Sequence, residues 1–263
     1  MRKFKIILLI VLTVFLTNIS VFSQDSSNVN IYDNLLKKYV FNGLVDYDNL
    51  SKDKNLDKYI DALSNFNPNT LNDKKTRLAF WINAYNAYTL KVIVDNYPIS
   101  SINELHTGGK IIAHILKKTV WDKDFVVINN KKMTLNHIEH EIIRAKFKDP
   151  RIHFALVCGA ISCPPLRNEA FVGSKLNEQL DDQARKFFAD PSKNTFDGKN
   201  RVAHLSKILD WYGSDFGEND SQILDRIKNY LPKQIAESIN DKIIKWEIDF
   251  KSYDWDLNKI KKN

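Results

Sequence analysis

The chain is 263 residues long, 43% hydrophobic and 27% charged, with a formal net charge of +7 and two cysteines. This length can bury a core without staples, and two cysteines allow at most one internal disulfide, so a disulfide-built scaffold is excluded. Three positive charges sit at Arg2, Lys3 and Lys5, and the remaining lysines are dispersed among acids without forming a stripe, so no nucleic-acid partner is indicated.

In chain order, residues 1–23 read as a secretory signal peptide. A basic start precedes the apolar run Ile7 to Leu16, and Val21-Phe22-Ser23 offers a cleavage pattern. The apolar run is short of the roughly 20 residues a bilayer span requires. No later stretch reaches that length, so the expectation is an exported protein without stable membrane insertion after cleavage. Residues 24–263 are expected to form one globular domain.

Gln24 to Asn30 reads as a flexible lead-in. Short helices are expected over Ile31 to Val40 and Leu56 to Phe66, around the turn-prone segment Phe41 to Asp46. A strong helix follows from Thr76 to Asp95, capped by Asn72 or Asp73 and stopped by Pro98. Its middle, Leu78 to Leu90, is apolar nearly all round, which predicts a helix buried on every face. Residues 99–119 read as irregular, with a hinge at Gly108-Gly109 and a short helix near Ile111 to Leu116. Asp124 to Ile128 and Lys131 to Thr134 flank Asn129-Asn130 as a hairpin. A helix is expected over Leu135 to Phe147, started by Thr134 or by Asn136 in a capping box with Glu139. Asp149-Pro150 breaks it, and Arg151 to Cys158 reads as a buried strand.

Beyond the strand, a short helix from Pro164 to Phe171 would leave Cys163 at its N-cap. A further helix is expected from Ser174 to Ala189, then a hairpin over Thr195 to Leu205. Helices over Ser206 to Tyr212 and Ser221 to Leu231 and a last strand over Ile243 to Phe250 complete the reading. The expected class is α+β: a helix-rich single domain with a small, mostly antiparallel sheet and a buried central helix.

The candidate chemistry centres on Asp149 to Arg167, which holds both cysteines. Strand alternation would put His153, Ala155 and Val157 on one face and Cys158 on the other. Cys163 could fold back through Gly-Ala-Ile-Ser and, as an N-cap, would gain thiolate character. That reading favours Cys163 over Cys158 as a nucleophile, with His153 or His140 as base and Glu139 orienting it. Asn83 and Asn86 share one face of the central helix, and with Arg144 and Arg151 they are candidates to bind substrate or to tie backbone together. Two alternatives stay open at the cysteines: a Cys158–Cys163 disulfide, and inert burial. A metal set of His137, His140 and His153 is a third idea, although the spacing lacks a recognised zinc pattern. No cofactor is indicated.

At these residues the chain resembles a known family. Phe80-Trp-Ile-Asn-Ala-Tyr-Asn-Ala87, Ile138-Glu-His140 with Arg144, and Asp149 to Leu156 with Cys158 to Leu166 are similar, in order, to the motifs of the domain of unknown function 547 family over about residues 72–190. The tail Tyr253-Asp-Trp-Asp-Leu-Asn258 is similar to its bacterial members. The resemblance implies a secreted or periplasmic bacterial protein of unassigned activity and a papain-like fold. Such a fold puts its nucleophile at the start of a central helix and a histidine on a neighbouring strand; here the central helix carries Asn83 instead of cysteine, so that site does not carry over residue by residue. The resulting expectation is a cysteine-dependent hydrolase or acyl transferase acting on amide or peptide bonds of a small-molecule or peptide ligand. The alternative is a non-catalytic binding module with a structural disulfide.

Overall fold

A computed structural model of the chain describes residues 28–106, 119–241 and 245–261. The expected signal peptide, the Gly108-Gly109 hinge and the short helix near Ile111 lie outside the described residues. Among the described residues, no helix is long and apolar enough to cross a membrane.

Helix α1 runs to residue 39 and leads directly into a hairpin of β1 (Val40–Phe41) and β2 (Leu44–Val45). Asn42 and Gly43 both have positive φ, 51° and 82°, the left-handed pair that a two-residue hairpin turn requires. Helices α2 (Tyr47–Leu50) and α3 (Asn55–Asn65) precede α4 (Lys74–Asp95). Asp73 caps α4 by accepting from the Thr76 amide at 2.7 Å. Every residue from Leu78 to Leu90 is buried, as the all-round apolar pattern predicts.

Strands β3 (Val126–Ile128) and β4 (Lys131–Met133) form the expected hairpin, again turned by two left-handed asparagines. Helix α5, over residues 135–147, opens on Thr134, whose hydroxyl accepts from the His137 amide at 2.9 Å. The capping box does not form: Asn136 reaches Asp122 and Glu139 turns inward to Tyr85. Within α5, His137–Arg144 is wound as a π-helix.

The largest departure from the sequence reading is at Arg151 to Cys158, which is not a strand. Pro150–Phe154 is a 3-10 turn with Pro150 in its first turn and Asp149 as its N-cap, and an irregular segment follows. Asn86 explains why no strand neighbour is needed. Its amide donates to the Ala155 carbonyl at 2.9 Å and accepts from the Val157 amide at 3.0 Å, replacing ladder bonds with side-chain bonds. The short helix expected from Pro164 is also absent. Helix α6 (Leu176–Ala189) follows a 3-10 turn at Gly173–Lys175, and the Ser174 side chain does not cap it.

Strands β5 (Thr195–Asp197) and β6 (Val202–Leu205) pair antiparallel. The chain then passes through α7 (Lys207–Trp211), α8 (Gly213–Phe216), α9 (Asp220–Ile227) and α10 (Lys233–Asn240) to β7 (Glu247–Phe250). This long crossover lets β7 pair parallel with β6. The α+β class holds, but among the described residues the strands form three small sheets rather than one.

Two hydrophobic clusters organise the molecule. The larger surrounds α4; the second gathers Phe154, Phe187, Phe188 and Phe216 with β6 and the later helices. The 3-10 turn lies at their seam, since Ile152 belongs to the first cluster and Phe154 to the second. An extended strap over residues 251–261 closes the fold. It bridges Val45 to Lys259 and Ala160 to Leu257, and Tyr253 packs against both clusters.

Candidate active site

A cleft of about 770 Å3 opens at this seam. Both cysteines, His153, His140 and Glu139 line it. His153 and Cys158 share one cleft because the alternation that would put them on opposite faces does not exist along a 3-10 turn followed by irregular chain.

The chain reverses after Cys158 through Gly159, whose φ of +79° suits glycine, and whose Cβ would lie 2.5 Å from Ile93 Cδ1. A turn from Ala160 to Cys163 then brings the sulfurs to 2.8 Å, and both are free thiols. Cys163 is 3% exposed and its Sγ accepts from the Cys158 amide at 2.7 Å. Cys158 is partly exposed and its sulfur also meets the Tyr253 hydroxyl at 3.2 Å. Burial pushes the Cys158 thiol up, but hydrogen bonds from Cys163, Tyr253 and the backbone outweigh it and bring the thiol below its usual range. Burial pushes the Cys163 thiol well up, reinforced by its bond to Cys158. The expectation of a helix N-cap activating Cys163 is therefore corrected: there is no helix behind it, and the accessible, charge-stabilised sulfur is Cys158.

A second polar group reaches the cleft through His153. Arg144 grips Asp215 with two bonds of 2.7 Å, and His153 Nε2 reaches the same carboxylate at 2.7 Å. The Arg144 bonds, partly opposed by burial, hold the Asp215 carboxyl down at about 2. An ionised carboxylate only accepts, so Nε2 of His153 carries the proton. Burial lowers the His153 pKa against the raising pull of Asp215. The ring is thus neutral near pH 7, with Nδ1 as its basic nitrogen. Arg144 also donates to His140 Nδ1 at 2.9 Å, which fixes that ring's proton, when neutral, on Nε2.

Tyr212 stacks on His153 with 4.1 Å between centroids, and the Glu139 carboxylate acts on its phenol electrostatically. Tyr85 donates to the same carboxylate at 3.0 Å. Burial first, and then the Glu139 charge, push both phenols up, so they remain protonated donors. Tyr253, Trp255 and the half-exposed Trp211 pack against one another with ring centroids 4.6–5.8 Å apart and form an aromatic wall. No hydrogen bond joins either sulfur to either imidazole among the described residues.

The other predicted residues lie elsewhere. Asn83 holds the Phe171 amide and carbonyl at 2.9 and 2.8 Å, and Asn86 holds the segment before Cys158. Both amides are committed to backbone: Asn86 positions the segment that leads to Cys158, whereas Asn83 ties down Phe171 away from the cleft. Arg144 orients Asp215. Arg151 pairs with Asp149 and Asp181 and is not part of the cleft lining. His137 is exposed on α5 and does not join His140 and His153; among the described residues, no group of three or more His, Cys, Asp or Glu side chains is placed to hold a metal.

Asp215, Tyr212, Tyr85 and Trp211 carry no local signal in the sequence, and the tail Tyr253 to Asn258 stands out there only as a family-like motif. Asp215 sits in no pattern that points to His153, since the two are joined by folding alone.

Residues 68–188 match a family model described as Protein of unknown function, DUF547, which supports the resemblance carried by the motifs. The matched segment includes Glu139, His140, His153, Cys158 and Cys163, and ends before Tyr212, Asp215 and Tyr253. No curated protein and no solved structure matches the chain.

Proposed function

We propose that the chain is an exported cysteine-dependent hydrolase or acyl transferase acting on amide or peptide bonds, with Cys158 as nucleophile. The observation that carries this reading is the partly exposed Cys158 sulfur, held by Cys163 and Tyr253 in a cleft also lined by His153, whose ring bonds to Asp215. In this scheme Nδ1 of His153 takes the Cys158 proton, directly or through water, and the resulting imidazolium is stabilised by Asp215 through Nε2. The thiolate adds to the carbonyl carbon of the substrate. The leaving amine departs with the proton from His153, and water or a second amine then opens the thioester. Export rests on the leader-like residues 1–23, and the aromatic wall favours an extended or planar ligand over a compact ion.

An electrophilic peptidyl epoxide tests the reading, together with a screen of short peptide amides. Cys158→Ala should abolish labelling and any amide cleavage, whereas Cys163→Ser should keep a labelled Cys158. Activity that survives Cys158→Ala would sink the proposal. The 2.8 Å sulfur separation favours one further reading, a binding module stapled by a permanent disulfide. Intact mass with alkylation, before and after reduction of protein taken from its own compartment, separates the two: a disulfide that no mild thiol opens supports the module.

A further inference from the structure

The geometry of the two sulfurs goes beyond an acyl nucleophile and does not depend on one. We propose that Cys158 and Cys163 form a reversible dithiol–disulfide couple that exchanges with an external disulfide entering the aromatic cleft. Cys158 is the exchanging sulfur and Cys163 the resolving one.

Three observations carry this. First, the sulfurs are already in contact at 2.8 Å, and a disulfide bond needs a further approach of under about 1 Å. Second, the pair is asymmetric in access: both residues line the cleft, but Cys158 is partly exposed while Cys163 is buried. An incoming disulfide therefore meets Cys158 first. Third, the loop between them is pinned from outside. The Ile161 amide donates to the Asp256 carbonyl at 2.8 Å, the Ser162 amide to the Asp254 carbonyl at 3.2 Å, and the Asp254 amide to the Ser162 hydroxyl at 2.9 Å. The strap therefore holds the resolving sulfur in place through the reaction. Donors are arranged for charge on either sulfur, with Tyr253 on Cys158 and the Cys158 amide on Cys163.

The exchange balances as follows. The Cys158 thiolate attacks one sulfur of an external disulfide; a mixed disulfide forms, the external S–S bond breaks, and one thiolate leaves. Cys163 gives its proton to that leaving thiolate and attacks the Cys158 sulfur. The internal disulfide forms and the second external thiolate departs, taking up the proton that Cys158 released to solvent or to His153. The protein dithiol is oxidised by two electrons, and the external disulfide is reduced to two thiols. The reverse sequence restores the dithiol, and the oxidised form has no free nucleophile.

The test uses the full chain, reduced and freed of reductant, then mixed with glutathione disulfide, quenched in acid at intervals, alkylated and weighed intact. The wild type should lose two hydrogens and carry no lasting glutathione, and reduced glutathione should reverse this. Cys163→Ser should stop at one glutathione on Cys158, and Cys158→Ser should acquire an adduct at least about tenfold more slowly. A wild type that stays a dithiol or keeps a stable adduct overturns the proposal, as does Cys158→Ser reacting as fast as Cys163→Ser. If Cys163→Ser does not fold, early quenching of the wild type decides: a transient adduct mapped to Cys158 supports the couple, and one mapped to Cys163 overturns it. Amide cleavage is assayed separately on the reduced protein, so failure of the acyl reading is distinguishable from failure of this one.

Discussion

At the scale of single residues, the site depends on which protons are where. Tyr253 shares its hydroxyl with the Cys158 sulfur, so Tyr253→Phe removes a donor from the thiolate without changing the packing outline. Alkylation of reduced Cys158 by iodoacetamide at neutral pH should then slow by roughly fivefold, the equivalent of one hydrogen bond of about 1 kcal/mol. The pH at half-maximal alkylation should move upward. An unchanged profile would mean that the phenol does not support the thiolate.

Asp215 makes a different prediction. Its carboxyl is held near 2, below the ordinary carboxylate value of about 3.9. A group depressed in the folded state contributes stability above its unfolded pKa, and that contribution disappears as pH falls through the folded value. The Arg144–Asp215–His153 contribution should therefore be intact at pH 7 and decline between about pH 4 and about pH 2. Asp215→Asn should lower the urea midpoint at neutral pH and flatten its change across that window.

The cysteines, His140, His153 and Glu139 of the cleft are legible as candidates, because cysteine, histidine and acid in an apolar setting stand out in a sequence, whereas its tyrosines and tryptophans are not. The ranking of those candidates is not legible either. Cys163 gained its apparent advantage from a helix that does not form, and Asp215 has no local signature at all.

Among the elements, the decisive one is the 3-10 turn Pro150–Phe154 with the segment after it. An apolar run of eight residues fits a buried strand by pattern alone, and tertiary hydrogen bonds from Asn86 overrode that pattern. Asn86→Ala would leave the Ala155 carbonyl and the Val157 amide buried without that partner. At 1–3 kcal/mol for each orphaned group the loss should be about 3 kcal/mol, measurable by urea unfolding. A loss confined to a few tenths would show that water replaces the amide. Helix α4 is legible in cap and burial, since Asp73 and an all-round apolar surface are local signals. Helix α5 is legible in extent but not in winding. Its π-helical section over His137–Arg144 carries Glu139, His140 and Arg144, and such windings recur where side chains must be re-aimed toward a site.

For the whole molecule, the α+β class followed from helix periodicity and short hairpins. The division of the core into two clusters and the long reach of the strap did not, because both depend on contacts between distant segments. Tyr47 reaches Asn258 across most of the chain at 2.9 Å, and no spacing rule anticipates such a pair. Ending the chain at Phe250 should leave both clusters substantially folded, because the strap contributes few buried side chains apart from Leu257 and Asn258. The sulfur loop should lose its pinning. Hydrogen exchange at the Ile161 and Ser162 amides should accelerate far more than in α4, and a uniform acceleration throughout the protein would contradict this division of labour.

The seam position of the cleft also makes the protein its own detector. The lining comes from both halves of the core, with Tyr85 from the larger cluster and Tyr212 packed on the smaller. Any molecule that seats there ties the two together and is released when either half opens. At a hundredfold excess over its dissociation constant, such a molecule adds about 2.7 kcal/mol of stability whatever its chemistry. A melting screen of the Cys158→Ala protein, in which turnover and oxidation of the pair are both blocked, would therefore rank natural ligands before any reaction is assigned to them.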